Sequence, residues 1–383
     1  MPSCSSHSPS NSPSHSPSHS PSHSPSHSPS NSPATLPESA EHRGPLPQGM
    51  WLWRYRGISL LLDRRHWSGV LLLLAALGLA SLAYLCLGEQ HLPPQTLWDV
   101  MLNQAGPLDT FVVEQLRLPR LLAALSTGLA FGLAGCLMQT LARNRLATPG
   151  IIGIDNGATA FAVASVLGMG LSLAPSAMAL AGAATAAVLT FGLAAGGGAR
   201  GYRFIVAGIG VGAIFGAVTQ LMLSRAAIDV ANAAYPWTVG TLNARPAGAV
   251  QVLGVGLLVL VPLALWLSRS LALMRFSDAV ATGLGAPLKR RRAQVLVVSV
   301  ALTALAVSVA GPVGMVGLLG PEVARHLCGN RQVPLLGAGL AGAMVMVVAD
   351  LVGRLLLSPL ELPVGIVTAV VGGPWLIWIL VRR

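Results

Sequence analysis

The sequence predicts an all-α membrane protein with ten transmembrane helices and both termini in the cytoplasm. From Trp67 onward the chain is a series of apolar stretches of about 18 to 22 residues, the length that a helix needs to cross a bilayer. Arginine clusters follow alternate stretches, and most acidic residues occupy the other connections. Only an even number of spans that starts inside places these clusters in the cytoplasm, as the positive-inside rule requires.

The composition points the same way, because 53% hydrophobic and 10% charged residues are far from the balance of a soluble domain. A net charge of +11 also occurs in nucleic-acid-binding proteins. Here the basic residues are dispersed between apolar stretches and are not gathered on one surface. We therefore predict a lipid bilayer as the surrounding of this chain, and no nucleic-acid partner.

Residues 1–49 are a Ser/Pro/His-rich tail that is predicted to be disordered. Four of its histidines are spaced four residues apart: His15, His19, His23 and His27. A proline in every repeat forbids the helix that would align them. Weak metal binding by these imidazoles is one interpretation; the favoured one is an unstructured extension before a later start at Met50. Residues 50–66 are predicted to be a basic cytoplasmic lead-in, and no metal site is expected in the chain.

Residues 67–383 are predicted to form the ten-span domain. Turn-forming, basic or proline residues bound the apolar stretches. In chain order the spans are 67–87, which ends at Gly88; 119–140, before Arg143 and Arg145; 149–170, which starts at Pro149; 176–196, before a run of glycines; 204–223; 249–268; 293–311, after the basic run 289–292; 312–328; 334–357; and 363–380.

Glycines in the fifth span stand four residues apart, at Gly208, Gly212 and Gly216. Small residues at this spacing form a stripe on one helix face, which lets two helix backbones approach closely in lipid. A stripe of this kind also leaves room beside a transport pathway. The sequence leaves both interpretations open for these three residues.

The chain lacks the sequence that would let it hydrolyse ATP by itself, and no catalytic residue is predicted. Its single lysine, Lys289, does not follow a glycine, so a phosphate-binding G-x-x-x-x-G-K-[ST] loop is impossible. The spans are also nearly free of the buried acids that mark ion-coupled carriers. The energy source is therefore expected to be a partner protein.

Two charged pairs interrupt the apolar pattern. Asp350 and Arg354 are four residues apart in the ninth span, and Glu322 and Arg325 are three apart in the eighth. Residues at these spacings share a helix face, so each pair is predicted to be a structural ion pair that neutralises charge within the bundle.

Five segments of the chain match the pattern of one known family in order and spacing. They are RLPRLLAALSTGLAFGLAGCLMQTLARNRLATPGIIGIDNGA (117–158), W-x-x-G-x-L at Trp237, Gly240 and Leu242, LGAPLKRRRAQ (284–294), AGPVGMVGLLGPEVARHLCG (310–329) and ADLVGRLLLSPLELPVGIVTAVVGGPWLIWIL (349–380). On these segments the chain resembles the FecCD-like permeases of ABC importers for iron-siderophore complexes and vitamin B12. The resemblance covers residues 67–383 and implies the fold of a type II ABC importer permease in the bacterial inner membrane.

The resemblance also implies the partners of the chain. They are a second permease subunit, either a copy or a paralogue, two ABC ATPase subunits on the cytoplasmic side, and a periplasmic substrate-binding protein. ATP and Mg²⁺ would be used by the ATPases, and no cofactor is expected on this chain. The implied cargo is a ferric siderophore.

Family members carry outer basic residues that receive acids of the binding protein. Arg117, Arg120 and Arg354 match these positions and are expected to dock it. The predicted topology independently places all three at or near the outer side.

The inner loop 271–292 matches the segment that family members insert into the ATPase. Ser277 followed by Asp278 is a plausible start for a short helix there. The residues expected to couple to the ATPase are Ala279, Ala281, Gly283, Leu284 and Gly285. The basic run 289–292 is interpreted as a topology anchor more than as a contact.

Two departures from the family pattern leave the cargo open. Glu322 stands where the family usually has His, and Asp155 stands where Ser is frequent. Cobalamin, haem or an oxyanion on the same fold is therefore the first alternative to a ferric siderophore. An ion-coupled secondary carrier is a second alternative, and a structural or sensory membrane protein is a third.

Overall fold

The computed structural model describes residues 50–381, apart from short gaps at 56–57, 89, 170–172, 195–201 and 286. The predicted disordered tail 1–49 lies outside the described residues. So do the glycines 196–198 that were expected to end the fourth span, and the two C-terminal arginines.

Helices make up most of the described residues. In chain order the elements are β1 (Met50–Tyr55), β2 (Ile58–Asp63), α1 (Arg64–Cys86), α2 (Pro94–Met101), α3 (Pro107–Phe111), a π-helical turn (Val112–Arg117), α4 (Leu118–Ala142), a 3-10 turn (Pro149–Ile152), α5 (Ile154–Val166), α6 (Pro175–Leu193), α7 (Tyr202–Arg225), α8 (Ile228–Ala234), α9 (Pro236–Val239), α10 (Ala247–Met274), α11 (Asp278–Gly283), α12 (Leu288–Ala310), α13 (Gly314–Cys328), α14 (Leu335–Leu355) and α15 (Val364–Val381).

Each of the ten predicted spans overlaps one helix of the described residues. Within the described residues, seven helical segments are long and apolar enough to cross a membrane. They are Arg64–Cys86, Pro107–Ala142, Pro175–Leu193, Arg203–Arg225, Ala247–Met274, Leu288–Ala310 and Leu335–Leu355. The helices α5 and α13 are shorter, at 13 and 15 residues, and the apolar stretch of α15 runs over Val364–Trp378.

The segment before α1, for which no element was predicted from the sequence, forms a small hairpin outside the helical bundle. Strands β1 and β2 pair antiparallel, with Met50 opposite Asp63 and Tyr55 opposite Ile58. Two apolar runs separated by two residues, the second of them Gly57, are the usual sequence signal of a β-hairpin. That signal lay inside the predicted lead-in 50–66. Asp63 then caps α1, because its carboxylate accepts a hydrogen bond from the Arg65 amide at 3.1 Å.

The third predicted span, 149–170, is broken near its start. The 3-10 turn ends at Gly153, whose φ of +82° is a conformation that residues with a Cβ rarely adopt. A Cβ at Gly153 would also lie 2.8 Å from the Gly212 amide nitrogen. The chain therefore enters α5 through a tight turn pressed against α7, which shortens α5 itself.

The helix α4 lies at the centre of the fold. It packs against α10, α12, α13 and α14, and most of its residues are buried. Its contact with α14 is antiparallel, because Gly128 lies against Gly342 and Gly132 against Ala338. The start of α4 is therefore at the same end of the bundle as the end of α14.

Glycine allows this close approach. A Cβ at Gly128 would lie 2.6 Å from the carbonyl oxygen of Gly342 and 2.7 Å from the Cα of Ala343. Both neighbours are backbone atoms of α14, so the helices would have to move apart to admit a methyl group. Small residues therefore permit close helix packing in α4.

We predict that Gly128→Ala destabilises the protein by about 1–3 kcal/mol, because overpacking a dense helix contact has that cost. The thermal unfolding midpoint in detergent measures the effect. Gly78→Ala is the matched control, because Gly78 is exposed on α1 with no atom within 4 Å of an added Cβ. An unfolding midpoint of Gly128→Ala equal to that of the control would contradict a tight α4–α14 contact.

Candidate functional site

A buried ionic network joins three helices at the end of the bundle where α4 begins. Arg120 Nε and Nη2 donate to the two carboxylate oxygens of Asp350, at 2.9 and 3.0 Å. The Tyr84 hydroxyl donates to Asp350 Oδ2 at 2.6 Å. Asp350 is only 1% exposed, so its charge is compensated entirely by these neighbours. The network ties α1, α4 and α14 together.

Arg120 also carries a second carboxylate. Its Nη1 donates to both oxygens of Glu361, at 2.9 and 3.1 Å. Glu361 lies in the connection between α14 and α15 and is partly exposed. All three nitrogens of Arg120 are therefore bonded to acids of the same chain.

The prediction that Asp350 forms an ion pair with Arg354 is wrong. Among the described residues the ion-pair partner of Asp350 is Arg120, which comes from another helix. Arg354 instead donates to the Leu87 carbonyl at 3.1 Å and lies 4.7 Å from the centroid of the Tyr84 ring. The bidentate geometry available to Arg120 satisfies the buried carboxylate better than a neighbour along one helix does.

Arg117 is buried and held by backbone groups. It is 5% exposed, and its two terminal nitrogens donate to the carbonyls of Leu85 and Gln90, each at 2.5 Å. Gly88 lies beside it, because a Cβ there would fall 2.8 Å from Arg117 Nη2 and 2.9 Å from Arg354 Nη2. The two guanidiniums are therefore close together, and both hold the chain that follows α1.

A fourth arginine, Arg245, lies at the same end and was not predicted. Its Nε donates to the Thr241 carbonyl at 3.0 Å, and its guanidinium carbon sits 4.0 Å above the Trp237 ring centroid. Its Nη2 is buried, and no atom of the described residues accepts a hydrogen bond from it. Burial lowers the pKa of Arg245 to about 10, so it remains protonated at neutral pH.

These four arginines line one cavity of about 530 Å³. Asn243 and Glu361 are also part of its wall. The cavity therefore has four guanidiniums and two carboxylates: Glu361 in its wall, and Asp350 buried behind Arg120. The resulting excess of positive charge makes the cavity complementary to an acidic group.

The opposite end of the bundle contains the loop 271–292. The predicted short helix is present as α11, with the Ser277 hydroxyl accepting a hydrogen bond from the Val280 amide. Asp278 is held by Arg143 at 2.9 Å and by Arg292 at 2.6 Å. Arg143 also donates to the Met274 and Phe276 carbonyls, so the end of α4 fixes the position of this loop.

The residues predicted to couple to an ATPase are not equally accessible. Ala279, Gly283, Leu284 and Gly285 are exposed, but Ala281 is fully buried. Ala281 faces inward because α11 packs against α10 and α12. Val280, which was not among the predicted residues, is 50% exposed on α11.

The second predicted charged pair is present at this end. Arg325 Nη2 lies 2.6 Å from Glu322 Oε2 and also donates to Gln139 Oε1 at 2.7 Å. Gln139 in turn donates to the Gly317 carbonyl at 3.3 Å. The pair therefore links α13 to α4. Arg145 adds a weaker contact to Glu322 at 3.5 Å.

The glycine stripe of α7 faces another part of the chain. A Cβ at Gly208 would lie 2.5 Å from the Ile151 carbonyl, and Asn156 Nδ2 donates to the Gly212 carbonyl at 3.0 Å. Gly216 is only half-buried. The packing interpretation therefore fits Gly208 and Gly212. The other side of α7 carries exposed apolar residues, among them Val206, Ile214 and Leu221.

Among the described residues no group of three or more His, Cys, Asp or Glu side chains is placed to hold a metal ion.

Known proteins resemble the chain over most of its length. The model of the FecCD transport family matches residues 72–382. The Fe(3+) dicitrate transport permease FecD of Escherichia coli is 36% identical, with 82% of this chain and 98% of that protein covered. A probable siderophore transport permease of Bacillus subtilis, YfhA, is 33% identical over 84% of this chain and 96% of the relative.

Two further proteins are similar to the chain: a permease named for a different cargo, and one whose structure has been solved. The vitamin B12 import permease BtuC of Pectobacterium atrosepticum is 36% identical, covering 84% of this chain and 95% of its own. A solved structure described as an inward-facing metal-chelate type ABC transporter has a TM-score of 0.71. It is 25% identical and covers 83% of this chain and 99% of its own.

We predict that Asp350→Ala destabilises the protein by about 3 kcal/mol, because it leaves the Arg120 charge buried with only the peripheral Glu361. The thermal unfolding midpoint in detergent again measures the loss. Asp229→Ala is the control, since Asp229 is an exposed acid on α8.

A double variant tests the cause of that loss. Arg120→Met together with Asp350→Leu should recover most of the stability, because well-packed apolar residues often replace a buried ion pair without loss. Equal unfolding midpoints for Asp350→Ala and the wild type would show that the network does not hold the three helices.

Proposed function

The chain belongs to the FecCD transport family, and we propose that it is the membrane-spanning permease of an ABC importer for ferric siderophores. The near-full-length likeness to iron-chelate permeases carries this proposal. The equally long likeness to a vitamin B12 permease makes cobalamin the second candidate cargo.

We propose that ten helices cross the bacterial inner membrane with both termini in the cytoplasm. The distribution of arginines supports this topology, because the loops that precede α1 and follow α4, α10 and α13 are basic. The short helix α5 is extended by the 3-10 turn before it, so turn and helix together traverse more of the membrane than α5 alone. The cavity of four arginines then opens on the outer side and α11 lies on the inner side.

The proposed cycle uses both ends of the bundle. A cargo-loaded periplasmic binding protein docks on the outer arginines, and charge complementarity sets its register. Two partner ATPases bind and hydrolyse ATP, and the loop 271–292 transmits their movement to α10 and α12. A second permease subunit, identical or related, completes the pathway.

We place the outward apolar face of α7 along that pathway or the contact between subunits. Gly208 and Gly212 pack against the 3-10 turn and α5. The opposite face of α7 is therefore available to contact the cargo or a second subunit. Apolar walls that bind a bulky chelate weakly suit transfer better than tight binding does.

The first prediction concerns cargo and energy source. Cells that carry this gene should take up radiolabelled ferric siderophore, and deletion of the gene or depletion of ATP should each abolish that uptake. Ferric citrate, haem and cobalamin are measured in parallel. If deletion of the gene abolished only cobalamin uptake, the importer function would stand and the cargo would be cobalamin. Uptake that persists without ATP but collapses with the ion gradient would overturn the mechanism.

The second prediction concerns coupling at α11. Leu284→Glu should weaken co-purification of the partner ATPase at least about tenfold, because a charge on an apolar anchor is costly to bury in an interface. Leu284 is 62% exposed directly after α11. Leu108→Glu is the matched control, since Leu108 is 63% exposed at the opposite end of the bundle. Equal ATPase yields for the two variants would remove Leu284 from the interface.

A further inference from the structure

A second cavity, of about 450 Å³, lies at the start of α1, at the end of the bundle opposite the outer cavity. Three exposed arginines line it: Arg64, Arg65 and Arg331. Among the described residues the acid in its wall is Asp63, which is 5% exposed and already accepts a hydrogen bond from the Arg65 amide. The cavity therefore presents an excess of positive charge to a ligand.

The two segments that carry these arginines are held in place by backbone contacts. Gly69 brings α1 against the end of α13, since a Cβ there would lie 2.8 Å from the Leu327 carbonyl oxygen. On the other side of the cavity, Arg275 donates to the carbonyls of Asn330 and Arg331, at 2.7 and 2.9 Å. The start of α1 and the connection after α13 therefore form a fixed wall.

An exposed apolar stripe of α1 begins where the cavity ends. With 3.6 residues per turn, positions 64, 68, 72, 79 and 82 fall on one side of the helix. Arg64 and Ser68 line the cavity. Further along the same side, Leu72, Leu79 and Leu82 are exposed. The basic cavity therefore continues directly into an apolar surface on a helix that is long enough to cross a membrane.

A phospholipid with an anionic headgroup matches both parts of this surface. Guanidinium groups bind phosphate oxygens through paired hydrogen bonds, and basic pockets beside spanning helices on the cytoplasmic side suit acidic lipid headgroups. The exposed leucines of a spanning helix are solvated by acyl chains. A soluble anion would use the arginines alone, and an acidic segment of a partner protein would not follow a stripe that runs into the membrane.

We propose that the cavity of Arg64, Arg65 and Arg331 binds the headgroup of an anionic phospholipid of the cytoplasmic leaflet, with an acyl chain along the exposed stripe of α1. This inference rests on the proposed topology, which places the start of α1 in the cytoplasm, and not on the cargo. Arg275, which holds one wall of the cavity, belongs to the loop 271–292. The lipid therefore binds beside the segment that is proposed to couple to the ATPase.

The test measures lipid binding by the full-length chain in detergent. Native mass spectrometry gives the dissociation constant of the first bound phosphatidylglycerol, with zwitterionic phosphatidylcholine as the reference lipid. The wild type should bind phosphatidylglycerol at least about tenfold more tightly than phosphatidylcholine. Arg64→Gln together with Arg331→Gln should remove most of this preference, because each arginine near a lipid headgroup contributes about fivefold.

A matched control removes two charges elsewhere. Lys289→Gln together with Arg290→Gln replaces two exposed basic residues at the same end of the bundle that do not line the cavity. This control should keep the preference for phosphatidylglycerol within twofold of the wild type. An equal loss of preference in the two double variants would show general attraction to basic loops and would overturn the site.

A further variant leaves all three arginines in place. Ser68→Asp adds a negative charge to the cavity wall at an exposed position, so it should lower the preference for phosphatidylglycerol about fivefold. The thermal unfolding midpoint in lipid-free detergent checks that each variant is folded. If the arginine double variant unfolds at a lower temperature than the wild type, Ser68→Asp decides the test.

Three other results would also overturn the proposal. One is equal affinity of the wild type for the two lipids. Another is displacement of phosphatidylglycerol by an equal concentration of glycerol phosphate, because the cavity would then bind a free anion. The third is a normal lipid preference in Arg64→Gln with Arg331→Gln but a lower yield of co-purified ATPase, which would make the surface a protein contact. Failure of the lipid site leaves the importer function intact, since ATP-dependent uptake tests that function separately.

Discussion

The close antiparallel contact between α4 and α14 is the constraint on which both ends of this protein depend. Without the glycines at 128, 132 and 342 the two backbones could not approach as they do. At one end, this contact brings Arg120 against Asp350, although 230 residues separate them in sequence. At the other end, the same helix carries Gln139 and Arg143, which hold α13 and the loop before α12. One helix pair therefore positions the outer cavity and the inner loop together.

Much of the architecture could be predicted from the sequence, because long apolar stretches and alternating basic loops are strong and independent signals. Each expected span overlaps one helix of the described residues, with α5 the most shortened, and seven of the helical segments are long and apolar enough to cross a membrane. The hairpin of β1 and β2 was missed because its residues precede the first apolar stretch. Its two-residue spacing around Gly57 was the available signal.

The details of the site were less predictable, because they depend on contacts between helices. Spacing within one helix suggested Arg354 as the partner of Asp350, and no periodicity could reveal that Arg120 arrives from α4 with a better geometry. The same limit explains Ala281, whose small size fits an interface but also fits the core where it lies. Arg245 had a modest signal, as an arginine three residues after W-x-x-G-x-L in a connection where cations are few.

Because Glu361 already binds Arg120, any further acid can bind this arginine only in exchange for Glu361. An acid arriving from outside cannot add to the charge of Arg120 without displacing a carboxylate that is already bound through two hydrogen bonds. The free-energy gain of that exchange is only the difference between two similar ion pairs, so net attraction at this residue is small. At Arg120 the fit of the two surfaces then matters more than charge. Glu361 is always present at high local concentration and competes with the partner's acid for Arg120, which favours release of a partner that has delivered its cargo.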